Sequence, residues 1–135
     1  MAFIEWTDDF NLDIEPVDSQ HRRLVELVNK FDAAMQSGKG SRIMNEVLNE
    51  LIAYTQEHFA FEEKLMADAD YSKLKLHKSQ HRQLLQKAER FQFDFSQGGR
   101  RITGKVREFL SYWLMNHILQ DDMDFAREVK AGVDV

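Results

Sequence analysis

The sequence predicts an all-α chain: an up-down-up-down antiparallel four-helix bundle with an irregular N-terminal arm. Three observations carry that prediction. Apolar residues recur at helical period through four long tracts. Three short tracts interrupt them: SGKGS at 37–41, ADADYS at 67–72 and SQGG at 96–99. One proline and six glycines among 135 residues leave too little punctuation for a succession of short strands. The length suits a single domain, 1–135, with one core. Helices of roughly 20–30 residues joined by short turns pack as antiparallel neighbours.

Residues 1–17 form the arm, and its Phe3, Ile4, Trp6 and Phe10 are expected to fold back onto the bundle. After Pro16, Asp18 and Ser19 suit a helix start, giving a first helix over 18–37 with Leu24, Val25, Leu27, Val28, Phe31 and Met35 on its apolar face. A second helix, 41–66, carries Ile43, Val47, Leu48, Leu51, Ile52, Phe59 and Leu65. The third, 72–95, carries Leu74, Leu84, Leu85, Ala88, Phe91 and Phe95. The fourth, 100–130, carries Ile102, Val106, Phe109, Leu110, Trp113, Leu114, Ile118 and Phe125.

Composition excludes several functions. A net charge of −5 disfavours nucleic acid and anionic membranes as partners. The Arg22-Arg23 and Arg100-Arg101 pairs are too short to form a basic patch and read as solvated helix surface. SGKGS lacks the spacing of a phosphate-binding loop. The absence of cysteine removes disulfides, thiolate catalysis and thiolate-ligated metals. The start, MAFIEWTDDF, is acidic and has no apolar run, and FLSYWLM at 109–115 is too short to span a bilayer. The expected setting is the cytoplasm, without membrane insertion.

All the histidines fall into one pattern. His21 and His58 straddle SGKGS symmetrically, His58 and His81 straddle ADADYS, and His81 and His117 straddle SQGG. Residues equidistant from a turn lie level in antiparallel helices, so each helix places one histidine in a single layer. Glu62 and His77 share the second turn's midpoint and lie level one turn away, about 6 Å along the axis. On the fourth helix the same step leads from His117 to Asp121 or Asp122. Burying that many polar groups without partners costs several kcal/mol, which a metal site removes.

Five imidazoles and two carboxylates exceed the needs of one tetrahedral zinc. With both carboxylates and one solvent-derived oxygen bridging, they fill two octahedral ions except for a single open position. A nitrogen-rich site with one open position suits iron and small diatomic ligands. The Glu-x-x-His repeats of other di-iron bundles are absent.

DSQH ending at His21, HFAFEEKLM at 58–66, Tyr71, HKSQH at 77–81, HILQDD at 117–122 and Trp6 together resemble the hemerythrin family, in its single-domain bacterial form. The resemblance spans nearly the whole chain, and its H…HxxxE…HxxxH…HxxxxD pattern uses every histidine. It implies two iron ions per chain, bridged by Glu62, Asp122 and an oxo or hydroxo group. It assigns His77, His81 and His117 to one iron, and His21 and His58 to the other, which keeps the open position. It selects Asp122, although that residue lies about 140° round an ideal helix from His117; a locally widened turn or a reaching side chain would reconcile the two. It implies Leu24, Phe59, Trp113, Leu114 and Ile118 as the walls of a dry ligand pocket.

The function implied is reversible dioxygen binding for carriage, storage or delivery, with no enzymatic activity and with dioxygen as the ligand; the protein receiving it is not specified. Two other readings use the same ligands: a di-iron enzyme with peroxidase or nitrogen-oxide chemistry, and an oxygen-sensing interaction module. Tyr54, one turn before His58, reads as a packing residue rather than a redox relay. Many members of the family read Gly-Tyr-Pro where this chain has Asp70-Tyr71-Ser72, so a looser second turn is expected.

Overall fold

The computed structural model describes residues 4–38, 41–97 and 103–133. Four long helical rods form the bundle: α1 (Val17–Gln36), α2 (Ser41–Asp68), α3 (Leu74–Ser96), and a fourth made of three joined pieces. These pieces are α4 (Thr103–Asn116), a π-helical turn (His117–Asp122) and α5 (Met123–Val133). Contacts run α1 to α2, α2 to α3, α3 to α4 and α4 back to α1, which closes the bundle. No helix among the described residues is long and apolar enough to cross a membrane.

Each rod buries the face its period predicts. On α1 that face is Val17, His21, Leu24, Val25, Val28 and Phe31, spaced by three and four residues. Leu48, Leu51, Ile52 and Phe59 from α2 and Val106, Leu110 and Trp113 from α4 complete one continuous core. Gly38 ends α1 in the left-handed region (φ 68°), where glycine carries no steric penalty. Ile102, Arg100 and Arg101, together with the end of SQGG, lie outside the described residues, as do Phe3 and the side chain of Phe95.

The arm is pinned rather than draped. Ile4 is buried, and both its N–H and its carbonyl bond to the Asn29 side chain at 2.8 Å. Trp6 stacks on Phe10 inside a short 3-10 turn (Asp8–Phe10), and Arg22 lies over the Trp6 ring. Leu12 is fully buried. The buried Asp18 carboxylate accepts from the Leu12 and Asp13 amides at 2.8 and 2.9 Å. Asp18 and Ser19, expected to cap the helix, do not do so: α1 starts at Val17 after Pro16 with no side-chain cap bond, and Asp18 satisfies the arm's backbone instead.

The helices differ from the sequence expectation at their ends. α2 continues two residues past 66 to Asp68 because Ala67 is a strong helix former. α3 begins at Leu74 rather than 72, because Ser72 is engaged in the turn. That turn is held tightly, not loosely. Asp70 takes the left-handed conformation (φ 53°) that glycine takes easily and aspartate tolerates. The Ser72 amide bonds Glu128 at 2.8 Å, its hydroxyl bonds the same carboxylate, and Tyr71 is buried against Met66 and Phe125. A side-chain tie to α5 replaces the rigidity of a proline. The largest departure is the fourth rod. The helix expected over 100–130 is built as α4, a widened turn and α5, the widened turn being one of the two ways in which Asp122 was expected to reach the centre.

Candidate metal centre

The widened turn positions the site. In an α-helix, Asp122 would lie on a different face from His117; the π-helical turn holds one extra residue and brings both inward. α1 supplies His21, α2 supplies His58 and Glu62, and α3 supplies His77 and His81. All seven side chains are buried, none more than 3% exposed.

They meet in two overlapping groups. Glu62, His77, His81, His117 and Asp122 form one; His21, His58, Glu62 and Asp122 form the other. Within each, the ligand atoms lie within 4.8 Å of one another. Glu62 is the hub. Its carboxylate lies 3.5 Å from His21 Nε2, 3.0 Å from His58 Nε2, 2.8 Å from His77 Nε2, 3.1 Å from His81 Nε2 and 3.5 Å from His117 Nε2. Asp122 lies 2.9 Å from His21 Nε2, 2.9 Å from His77 Nε2 and 3.2 Å from His117 Nε2.

Glu62 Oε1 hydrogen-bonds His77 Nε2 and His81 Nε2 at 2.8 and 3.1 Å, but most of the other close approaches are not hydrogen bonds. His21 Nε2, His58 Nε2, Glu62 Oε2 and both Asp122 oxygens are buried and lack a hydrogen bond of acceptable geometry, although charged partners stand within 3.5 Å. His81 Nε2 faces His117 Nε2 at 3.0 Å, nitrogen to nitrogen. Such atoms are aimed at shared points between them rather than at one another. An orphaned set of this size is costly in a folded interior and fits a cation bound at those points.

Without a cation the set holds protons. Burial pulls His21 and His77 down, but the close carboxylates of Asp122 and Glu62 outweigh it and raise both to about 9. His117 is also raised, well above the usual histidine value; burial opposes this, and Asp122 with Asp121 overcomes it. Burial wins at His58, which is lowered despite Glu62. Glu62 and Asp122 are held below the ordinary carboxylate range: burial pushes them up, and the surrounding imidazoles more than offset it.

The pocket residues divide. Phe59 lies parallel on His81 at 3.7 Å and edge-on to Trp113 at 6.1 Å, and its ring is 5.9 Å from His58. It touches both groups, not only the two-histidine side. Leu24 is buried in the core. The side chains of Leu114 and Ile118 lie outside the described residues. Trp113 also walls a small apolar cavity with Leu51, Ile52, Thr55, Leu84, Ala88, Phe109 and Leu110. Thr55 spends its hydroxyl on the Leu51 carbonyl at 2.7 Å. Tyr54 packs against the core.

Three residues near the histidines were not singled out by spacing for the place they occupy. Glu63 and Asp121 stand beside Glu62 and Asp122 in sequence but face outward. Glu63 bonds His81 Nδ1 at 2.9 Å and Asp121 bonds His117 Nδ1 at 3.3 Å. Gln20 bonds His58 Nδ1 through its side-chain oxygen at 2.7 Å. Adjacent helical positions differ by about 100°, so of two neighbouring carboxylates only one faces inward. The doublets were the available clue for Glu63 and Asp121; Gln20 offered none.

Comparison with known proteins agrees with this geometry. The family model for the hemerythrin HHE cation binding domain matches residues 12–129. The chain is 40% identical over 134 residues to a bacteriohemerythrin of Stenotrophomonas maltophilia, covering 99% of this chain and 86% of that protein. It is 39% identical over 130 residues to a bacteriohemerythrin of Pseudomonas aeruginosa, covering 96% and 84%. The crystal structure of a wild-type hemerythrin superposes with a TM-score of 0.84 at 27% identity, covering 93% of this chain and 97% of that one. Sequence pattern, fold and family model converge: the chain belongs to the hemerythrin HHE cation-binding family.

Proposed function

We propose that this chain binds dioxygen reversibly at a non-heme di-iron centre, for carriage, storage or delivery, and that it acts as a binder rather than an enzyme. The observation that supports this best is the convergence of buried imidazole nitrogens and carboxylate oxygens in two overlapping groups, with five of those atoms lacking a hydrogen-bond partner. The donor set fits two iron ions: imidazole and carboxylate suit iron, and thiolates are absent. His77, His81 and His117 would hold one ion and His21 and His58 the other, with Glu62 and Asp122 bridging. When bound, a ferrous pair supplies the electrons for reversible capture of a diatomic ligand.

The chain's own contribution is orientation and dryness. Gln20, Glu63 and Asp121 hold three imidazoles by Nδ1 and leave Nε2 facing inward. Phe59 places an apolar ring against His81 with Trp113 edge-on behind it, and water excluded from that space is unavailable to drive irreversible oxidation. A cytoplasmic setting belongs to the same reading, with the acidic, cysteine-free composition as its support.

Metal content and visible spectra of the reduced protein test it, taken before air, after air and after oxygen is removed. Two irons per chain with a band that appears and disappears with oxygen is the expected result. Irreversible oxidation without such a band overturns the binder and favours an enzyme. Trp113→Ala is expected to open the apolar wall and speed autoxidation by about tenfold, equivalent to some 1.4 kcal/mol of barrier. An unchanged decay of the oxygenated spectrum in that variant removes Trp113 from the pocket.

A further inference from the structure

The histidines that share one centre are not supported alike. His81 and His117 each turn Nδ1 to a carboxylate, Glu63 and Asp121. His58 turns Nδ1 to the neutral oxygen of Gln20. His21 Nδ1 is buried with no partner at all. Both carboxylate-backed imidazoles belong to the five-residue group and neither to the four-residue group. Glu62 and Asp122 belong to both, so they contribute no preference between the two.

An imidazole that binds a cation through Nε2 carries its proton on Nδ1. A carboxylate accepting that proton fixes the ring and raises its basicity as a ligand. A charged acceptor does so more strongly than an amide, and an absent acceptor does nothing. Glu63 and Asp121 also add negative charge beside one group only. Their side chains are 27% and 29% exposed, so they stay hydrated on one edge while bonding the buried rings on the other. Gln80 reaches Asp121 at 3.5 Å.

We infer that Glu63 and Asp121 are positioning residues that make the five-residue group the tighter metal position, the first to fill and the last to empty. The inference rests on the two-metal reading above. The histidine count alone favours the same group, so the test must isolate the outer carboxylates.

Cobalt(II) added under argon to the metal-free chain, followed by visible absorption and then by removal with graded chelator, reads the two positions without oxygen chemistry. Wild type is expected to fill and empty in two resolved steps. Glu63→Gln and Asp121→Asn, isosteric and on separate rods, are expected to weaken the tighter step by about 10–100-fold and leave the weaker step in place. Gln20→Ala is expected to move the weaker step instead. Carboxylate variants that leave the tight step unchanged, or shift both steps alike, overturn the inference while the two-metal reading stands. A wild-type protein that takes no second ion overturns the two-metal reading itself.

Discussion

Glu62→Gln is expected to empty both metal positions at once. The substitution keeps the volume and one oxygen but removes the charge that lies within 3.5 Å of all five histidines. Because Glu62 belongs to both groups, neither ion keeps a complete ligand set. Affinity at both positions should fall by more than about 100-fold, beyond what loss of a supporting residue produces. The metal-free protein should suffer as well. Removing one partner of a buried ionic cluster costs about 3–5 kcal/mol, because the remaining charges stay buried without compensation. Metal content after gel filtration and a denaturant melt of the metal-free form check the two parts. The neighbouring Glu63→Gln supplies the contrast: two ions retained, one of them held less tightly. A Glu62→Gln protein that still carries two ions would remove this residue from the bridge.

The second large effect is a reversal of pH dependence between metal-free and metal-loaded protein. His21 and His77 bind protons more tightly folded, at about 9, than unfolded, at 6.5. Their contribution to stability is therefore complete below pH 6.5 and is lost as pH rises through about 9. Glu62 and Asp122 run the other way. Their folded values lie below the ordinary 4.5 and 3.8, so their contribution is present above that range and is lost as pH falls below it towards the folded values. His58, held low by burial, opposes at the acid end, so the balance of the raised histidines should weaken the metal-free protein by a few kcal/mol as pH rises from about 6.5 towards 9. Metal ligation needs neutral imidazoles, so loading expels the same protons and tightens across the same interval. Melting temperatures from pH 5 to 9, with and without metal, should cross. Parallel curves would mean that the histidine protons are not linked to metal binding.

Much of this architecture was legible because helices are local. Apolar period located the rods, and the symmetric placement of histidines about each turn put His21, His58, His81 and His117 at one height. Glu62 and His77 followed from the same symmetry. Asp122 did not, because an ideal helix points to Asp121; only the pattern of the wider family selected the residue that the π-helical turn brings inward. Gln20 was invisible, since a glutamine before a histidine is unremarkable until α2 packs against α1. The tie from Ser72 to Glu128 was equally hidden, because it joins residues far apart in sequence whose pairing depends on how α5 lies. Long-range side-chain contacts of this kind are set by packing, not by period.

The widened turn also has a meaning at the level of the gene. One additional residue between His117 and Asp122 turns everything after it by about 100° relative to an unbroken helix. Counted without that offset, Phe125 and Ala126 fall away from the face carrying Leu110 and Trp113; counted with it, they rejoin that face, where both are buried. A single codon lost between His117 and Asp122 would let the rod close into an unbroken α-helix, leaving Phe125 and Ala126 on their buried face and re-aiming the carboxylate that follows His117. The reading frame there behaves as a unit of fixed length, while the exposed Gln120 within it is free to vary in identity. A codon-deletion scan of 118–121 should weaken metal binding while leaving the C-terminal helix folded, whereas substitutions at the exposed Gln120 should disturb neither.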